Sequence, residues 1–327
     1  MHTLTRHHFL RQIGALSLSL AAAATASAQQ WPERPIKLVV PYPPGGLTDV
    51  VTRSIADEAG RILGTSVVVE NKPGAGGQIG LQSVLAAPRD VYTVALVVPA
   101  TLITLPLTNP NFKIQPLKDF EPITAAVETA TILVANKELG LKNVADFTAY
   151  ARKNAGKLNY GIPGTGTSFH FNNVRMANLM GFQATHVAYP GEVQVYNDVA
   201  GGQLHYALLS VTMRAQIMDG GKVVPLAISG AKRNAHMPQV PTFKEQGVDF
   251  STDGWVGYAV GAGTPQPIVA KLHEAFAKAL RMPAVHERLT QLGLEVVATT
   301  PAQFRADIQE GTERYTTLVR SGAVKID

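Results

Sequence analysis

Two glycine-rich turns carry the residue types best suited to holding an anion. The first is Val40-Pro41-Tyr42-Pro43-Pro44-Gly45-Gly46-Leu47-Thr48-Asp49. Its prolines fix φ and offer no N–H, while Gly45 and Gly46 let a ligand approach the backbone closely where a helix begins. Amide donors at a helix N-terminus, assisted by the helix dipole, suit a carboxylate or a phosphate. The competing reading of this stretch is an ordinary tight turn with Asp49 as its structural cap. The second turn runs Tyr160-Gly161-Ile162-Pro163-Gly164-Thr165-Gly166-Thr167-Ser168-Phe169-His170. Its amides, with the hydroxyls of Thr165, Thr167 and Ser168, can surround an oxyanion.

Other chemistries fail on spacing. A phosphate-binding Walker loop needs Lys after Gly166, where Thr167 stands, and the dinucleotide fingerprint needs a glycine where Phe169 stands. His170, His186, His205, His236, His273 and His286 form no metal-ligand spacing, and no nucleophile elbow occurs. Ser168 and His170 are two residues apart, so on a helix they diverge, and His170 reads as a residue that supports the turn from behind or packs the helix rather than a base. Without cysteine there is no disulfide framework, thiol mechanism or iron–sulfur ligation. No metal and no cofactor are expected. Glu192 is the odd charge: it follows Tyr189-Pro190-Gly191 at a helix start, where an acid is welcome for dipole reasons alone. The functional alternative aims it into a ligand cleft, accepting from an ammonium, amide or hydroxyl. Asp198 reads as a contact between elements, and Trp255 and Tyr258 as core or hinge packing.

The elements that must position these turns follow from hydrophobic period. A strand over 36–40 leads through the first turn into a helix with Val51, Ile55, Ala59 and Leu63 on one face. Strands over 67–69 and 93–98 and a helix over 79–86 complete a β-α-β-α-β series, the signature of a parallel α/β sheet. A second series has strands over 131–135, 158–160, 184–187, 206–209 and 223–228. Its helices lie at 144–153, 169–180, 193–200 and 212–218, and three more are expected at 265–280, 284–292 and 301–319. Thr300-Pro301-Ala302-Gln303 supplies the last with an N-cap, a first-turn proline and a capping-box glutamine. Two such halves put a ligand between them, beyond the carboxyl ends of the strands.

A chain of 327 residues that is 46% hydrophobic can bury a core in each of two domains. The balance of 29 basic and 24 acidic residues is not clustered, which argues against nucleic acid. Residues 1–28 read as an export signal: Arg6 and Arg11, an apolar run over 13–24, and Ala26-Ser27-Ala28 as the cleavage site. No later stretch is apolar enough to span a bilayer.

Several segments resemble the periplasmic solute receptors of tripartite tricarboxylate transporters, the Bug or TctC-like proteins. They are Trp31-Pro32-Glu33-Arg34-Pro35-Ile36, the first turn, Val69-Glu70-Asn71-Lys72-Pro73-Gly74-Ala75-Gly76-Gly77, and Pro116-Leu117-Lys118-Asp119-Phe120. Leu158-Asn159-Tyr160, Gly164-Thr165-Gly166-Thr167 with His170, Gly201-Gly202-Gln203 and Gly263-Thr264-Pro265 extend the match. The resemblance implies a type II periplasmic-binding-protein fold: two doubly wound α/β lobes, a two-segment hinge and a ligand cleft between them. The implied division is a signal over 1–28, one lobe from 29–126 plus 253–327, and the other from 127–252. The implied ligand residues are Tyr42, Pro44, Gly45, Gly46, Leu47, Thr48, Asp49, Ala100, Gly164, Thr165, Gly166, Thr167, Ser168, Glu192 and Ser210.

The expected function is that of a monomeric periplasmic receptor, not an enzyme, which closes on a small carboxylate and delivers it to the membrane permease subunits of such a transporter. Leu47, Ile162 and the Glu192-Val193 pair depart from the family's usual small residues, favouring an apolar, aromatic or amine- or amide-bearing carboxylate over a simple dicarboxylate. A receptor feeding a sensor kinase, and a secreted α/β hydrolase using Ser168, His170 or Glu192, are the alternatives.

Overall fold

The computed structural model describes residues 31–88, 91–252 and 254–322; the expected export signal and its cleavage site lie outside the described residues. Strand β1 (Ile36–Val40) has four of its five side chains buried, as a strand covered on both faces requires. It feeds α1 (Leu47–Leu63), whose Val51, Ile55, Ala59 and Leu63 are buried and which stops at Gly64 in the left-handed conformation. Next come β2 (Val67–Asn71), α2 (Gln78–Leu85) and β3 (Thr93–Val97). β1 lies between β2 and β3 and runs parallel to both.

The β1–β3 series is parallel, as expected, but the sheet as a whole is mixed. β4 (Phe120–Thr129) and β10 (Gly254–Gly261), neither anticipated as a strand, pair antiparallel with each other, and β10 pairs antiparallel with β3. With the two-residue β11 (Glu295–Val296) the order is β11-β4-β10-β3-β1-β2. The second sheet holds β5 (Thr131–Asn136), β6 (Leu158–Ile162), β7 (Ala184–Ala188), β8 (Tyr206–Ser210) and β9 (Val223–Ile228). Its order is β7-β6-β8-β5-β9, with β5 antiparallel to both neighbours and β6 parallel to both of its own.

Besides two four-residue helices at Leu105–Thr108 and Pro116–Asp119, the longer helices that follow are α3 (Val144–Lys153), α4 (Ser168–Met180), α5 (Glu192–Ala200), α6 (Arg214–Asp219), α7 (Gln266–Arg281), α8 (Pro283–Gln291) and α9 (Pro301–Arg320). One face of the first sheet is covered by α1 and α7, through Ile55, Leu272 and Phe276. The other is covered by α2 and α9, through Leu81, Phe304 and Ile308. The second sheet is covered by α3 and α4 on one face and by α5 and α6 on the other. Each fully buried Leu, Ile or Phe contributes on the order of 1.5–3 kcal/mol. At the start of α9 the Thr300 hydroxyl accepts the Gln303 N–H, but the Gln303 amide turns to Asp307, so only half of the expected capping box forms.

The chain passes from the first sheet to the second between β4 and β5, and returns between β9 and β10. A hydroxyl cluster ties the two crossings: Ser229 Oγ accepts the Thr131 N–H at 2.8 Å and lies 2.6 Å from Thr252 Oγ1. A second link is Phe171 of α4, which stacks on Tyr315 of α9 at 4.8 Å and belongs to the first sheet's core. Among the described residues no helix is long and apolar enough to cross a membrane.

Candidate functional site

The first turn leaves the carboxyl end of β1 and ends as α1 begins, with Gly46 as N-cap. A glycine cap has no side chain to satisfy the first-turn amides, so the donors at Leu47 and Thr48 are left for water or a ligand. Gly45, at φ +83°, turns its own N–H inward to Asp49 Oδ2 at 2.9 Å. Asp49 is 3% exposed, and its carboxylate also accepts from Arg53 Nε at 3.0 Å and Asn71 Nδ2 at 2.9 Å. Burial raises its pKa, but the bonds from Arg53, Gly45 and Asn71 and the Arg53 charge outweigh that and hold it below the usual carboxylate range. Asp49 is therefore a brace for the turn, and Gly45 N–H, expected to face a ligand, is spent on it. Asn71 was not foreseen. It ends β2 opposite Val40 and donates to the Tyr42 carbonyl as well as to Asp49. Its sequence signals are its place at the end of the strand next to β1 and its membership of the family-like segment 69–77. Tyr42 is half-buried, its hydroxyl pushed up by burial, while Pro44 is exposed.

The second turn occupies the matching place between β6 and α4. Thr167 is the N-cap: its hydroxyl donates to the Gly164 carbonyl at 2.8 Å and accepts the His170 N–H at 3.4 Å. Gly166, at φ +73°, donates its N–H to His170 Nδ1 at 3.3 Å, so this expected donor is also taken. The hydroxyls of Thr165 and Ser168 have no protein partner among the described residues. The turn reaches the other half of the molecule, since a Cβ built on Gly166 meets Thr108 Oγ1 at 3.6 Å. Thr108 follows the wide helical turn Ala100–Thr104, which places Ala100 at the carboxyl end of β3, beside the first turn.

Glu192 opens α5, but its carboxylate is engaged. Oε2 accepts the Ser210 N–H at 2.6 Å and Oε1 accepts Ser210 Oγ at 3.0 Å. The two expected ligand contacts thus hold each other, because the first turn of α5 lies against the end of β8. Burial pushes the Glu192 carboxyl up, against the lowering by its two bonds from Ser210. Asp198 accepts the Tyr189 hydroxyl at 2.6 Å, and burial followed by that acid raises Tyr189 to about 12. Trp255 packs edge-on against Phe304 in the core. A cavity of about 660 Å³ lies elsewhere, lined by Ser229, Lys232, Trp255, Gly293 and Glu310 among others; none of the expected site residues lines it.

Residues 51–323 match the model of the tripartite tricarboxylate transporter family receptor. The chain belongs to that family. A Cupriavidus necator protein from the gbd 5′ region is 34% identical to this receptor over 319 residues, covering 96% of this chain and 97% of that one. The solved periplasmic binding protein BugD is 32% identical, covers 90% of this chain and 99% of its own, and superposes with a TM-score of 0.71. A Rhodopseudomonas palustris protein, MatC, solved with malate bound, is 30% identical, covers 88% and 100%, and also gives 0.71. The family is one of receptors, not of enzymes, and BugD is a periplasmic binding protein. The two-sheet α/β architecture is that of its solved periplasmic relatives.

Proposed function

We propose that this receptor captures a small carboxylate-bearing solute between the two turns, closes on it, and delivers it to the membrane permease of a tripartite tricarboxylate-type transporter. The observation that carries the reading is the matched construction of the turns. Each joins the carboxyl end of a strand to a helix start and has a left-handed glycine whose N–H is tied to a side chain four residues on. That arrangement commits the inner amide and leaves the helix-start donors around 46–48 and the hydroxyls of Thr165 and Ser168 for an anion. A ligand bridging both halves favours the closed form by its differential contacts with the two. In this reading residues 29–126 and 253–327 form one lobe, residues 127–252 the other, and the exported, monomeric protein begins at Gln29 in the periplasm. The periplasmic relatives support that location.

Malate in the relative MatC makes a carboxylate the natural first probe. Here Glu192 adds a half-buried acid beside Ser210, which disfavours a second ligand carboxylate and favours an apolar, amine- or amide-bearing body. The test is a thermal-shift screen of residues 29–327 against mono- and dicarboxylates, aromatic acids and their amides. A ligand at about 100 times its Kd stabilises by about 2.7 kcal/mol, a readily visible shift. Glu192→Gln moves the ranking toward dicarboxylates. An unchanged ranking refutes the selectivity, and no shift with any acid refutes carboxylate capture.

A further inference from the structure

The two turns share a design but differ in the side chain that ties them down. In the first the acceptor is a carboxylate supported by Arg53 and Asn71. In the second it is an imidazole nitrogen, His170 Nδ1, accepting the Gly166 N–H at 3.3 Å. His170 is 1% exposed, with the His186 ring 4.4 Å away centroid to centroid and the Phe171 ring at 6.4 Å. A carboxylate in this place would be a buried charge with no guanidinium beside it, at a cost of several kcal/mol. A neutral imidazole offers an acceptor at the same reach without that charge. Because Nδ1 accepts, the proton must sit on Nε2. Burial, followed by the charge of His186, lowers the His170 pKa to about 4, which keeps the ring neutral in ordinary conditions.

We propose that His170 is a positioning residue, not a ligand contact: its Nε2–H tautomer pins the Gly166 amide and so sets the direction in which the remaining donors of 164–168 face the ligand. The inference rests on the reading of this turn as half of the ligand site. It explains why a histidine stands four residues after a glycine at a helix start without any catalytic partner.

Two variants separate this role from mere packing. His170→Leu keeps the apolar bulk and removes the acceptor; His170→Asn removes bulk and restores an acceptor near the Nδ1 position. Amide hydrogen exchange at Gly166, referenced to Val39 in the first sheet, is measured in both and in the parent protein, together with malate affinity by calorimetry. The expected result is faster Gly166 exchange and about tenfold weaker malate binding in His170→Leu, the equivalent of one hydrogen bond. His170→Asn stays close to the parent in both. If His170→Leu protects Gly166 as well as His170→Asn does, the residue only packs and the inference falls. If the parent fails to bind malate, the ligand reading is at fault for that acid, and the exchange order of the two variants still decides the role of His170.

Discussion

Removing the Asp49 carboxylate tests whether the first turn is held from beneath. Its oxygens accept from Gly45 N–H, Arg53 Nε and Asn71 Nδ2. Asp49→Ala strands the Gly45 N–H and one of the two Asn71 Nδ2 hydrogens, the other staying on the Tyr42 carbonyl, and leaves Arg53 its bond to Asn71 Oδ1. The Arg53 side chain is 49% exposed, so the ion pair itself counts for about 0–1 kcal/mol. The two stranded donors cost about 1–3 kcal/mol each, with Gly45 at the low end because the turn is open to water. The sum is about 2–4 kcal/mol. Asp49→Asn keeps one acceptor and the side-chain shape while losing the charge, and costs about 1–2 kcal/mol. Urea denaturation followed by circular dichroism reads both. The pH dependence has a fixed sign. The folded pKa lies below the unfolded value, so the stabilisation is fully present above about pH 4 and fades as pH falls through the folded value. The gap between the parent and Asp49→Asn therefore narrows in acid. An Asp49→Ala protein within about 0.5 kcal/mol of the parent at pH 7 refutes the bracing role.

Two further outcomes follow from packing and burial. Gly257→Ala in β10 drives a Cβ to 2.4 Å from Phe304 Cζ and 2.9 Å from the Thr124 carbonyl; overpacking of this kind costs about 1–3 kcal/mol, measured as a lowered denaturation midpoint with unchanged m-value. His170, titrating near 4 when folded, is protonated first in the unfolded chain as pH falls, so the parent loses up to about 3 kcal/mol between pH 6.5 and 4. His170→Asn lacks that component, and a parent and variant with parallel stability–pH curves would falsify the buried neutral ring.

The local half of the fold was legible, and the long-range half was not. β1, α1 and the turn between them declare themselves through an apolar run, proline and glycine punctuation and a helical period. All of these are properties of neighbouring residues. β4 and β10 were missed because their own sequences argue against strands. Gly254, Gly257 and Gly261 lower the β-propensity of β10, and Pro122 interrupts β4. Pairing far along the chain overrides both. Gly257 lies opposite Val97 on one side, and Pro122 sits opposite Ala259 where the register with β10 shifts, a place that tolerates a missing N–H. The site divides in the same way. Glycines and hydroxyls in the turns could be read one after another. That Asn71 reaches Tyr42 and Asp49, and that Ser210 occupies the Glu192 carboxylate, depends on which strands and helices are neighbours in space.

That hidden layer also sets the electrostatics of the site. Arg53, the cation bonded to the first turn's Asp49, is committed to Asp49 and Asn71, and Lys72 lies against Glu70. The second turn contains no charged residue, and its anchor is a neutral imidazole. In the proposed reading, a carboxylate entering between the turns would meet helix-start amides and hydroxyls instead of an uncommitted guanidinium. Such donors act in a preorganised, partly dry setting and make charge-assisted bonds of about 1.5–3 kcal/mol each. They avoid the desolvation that burying a full cation demands. A receptor that must release its cargo gains from this. In that reading its affinity would be spread over several moderate bonds contributed by two halves, and separating the halves would remove one set at once. Asp49 and His170 are then worth keeping because they hold those donors in direction, although neither need touch the solute.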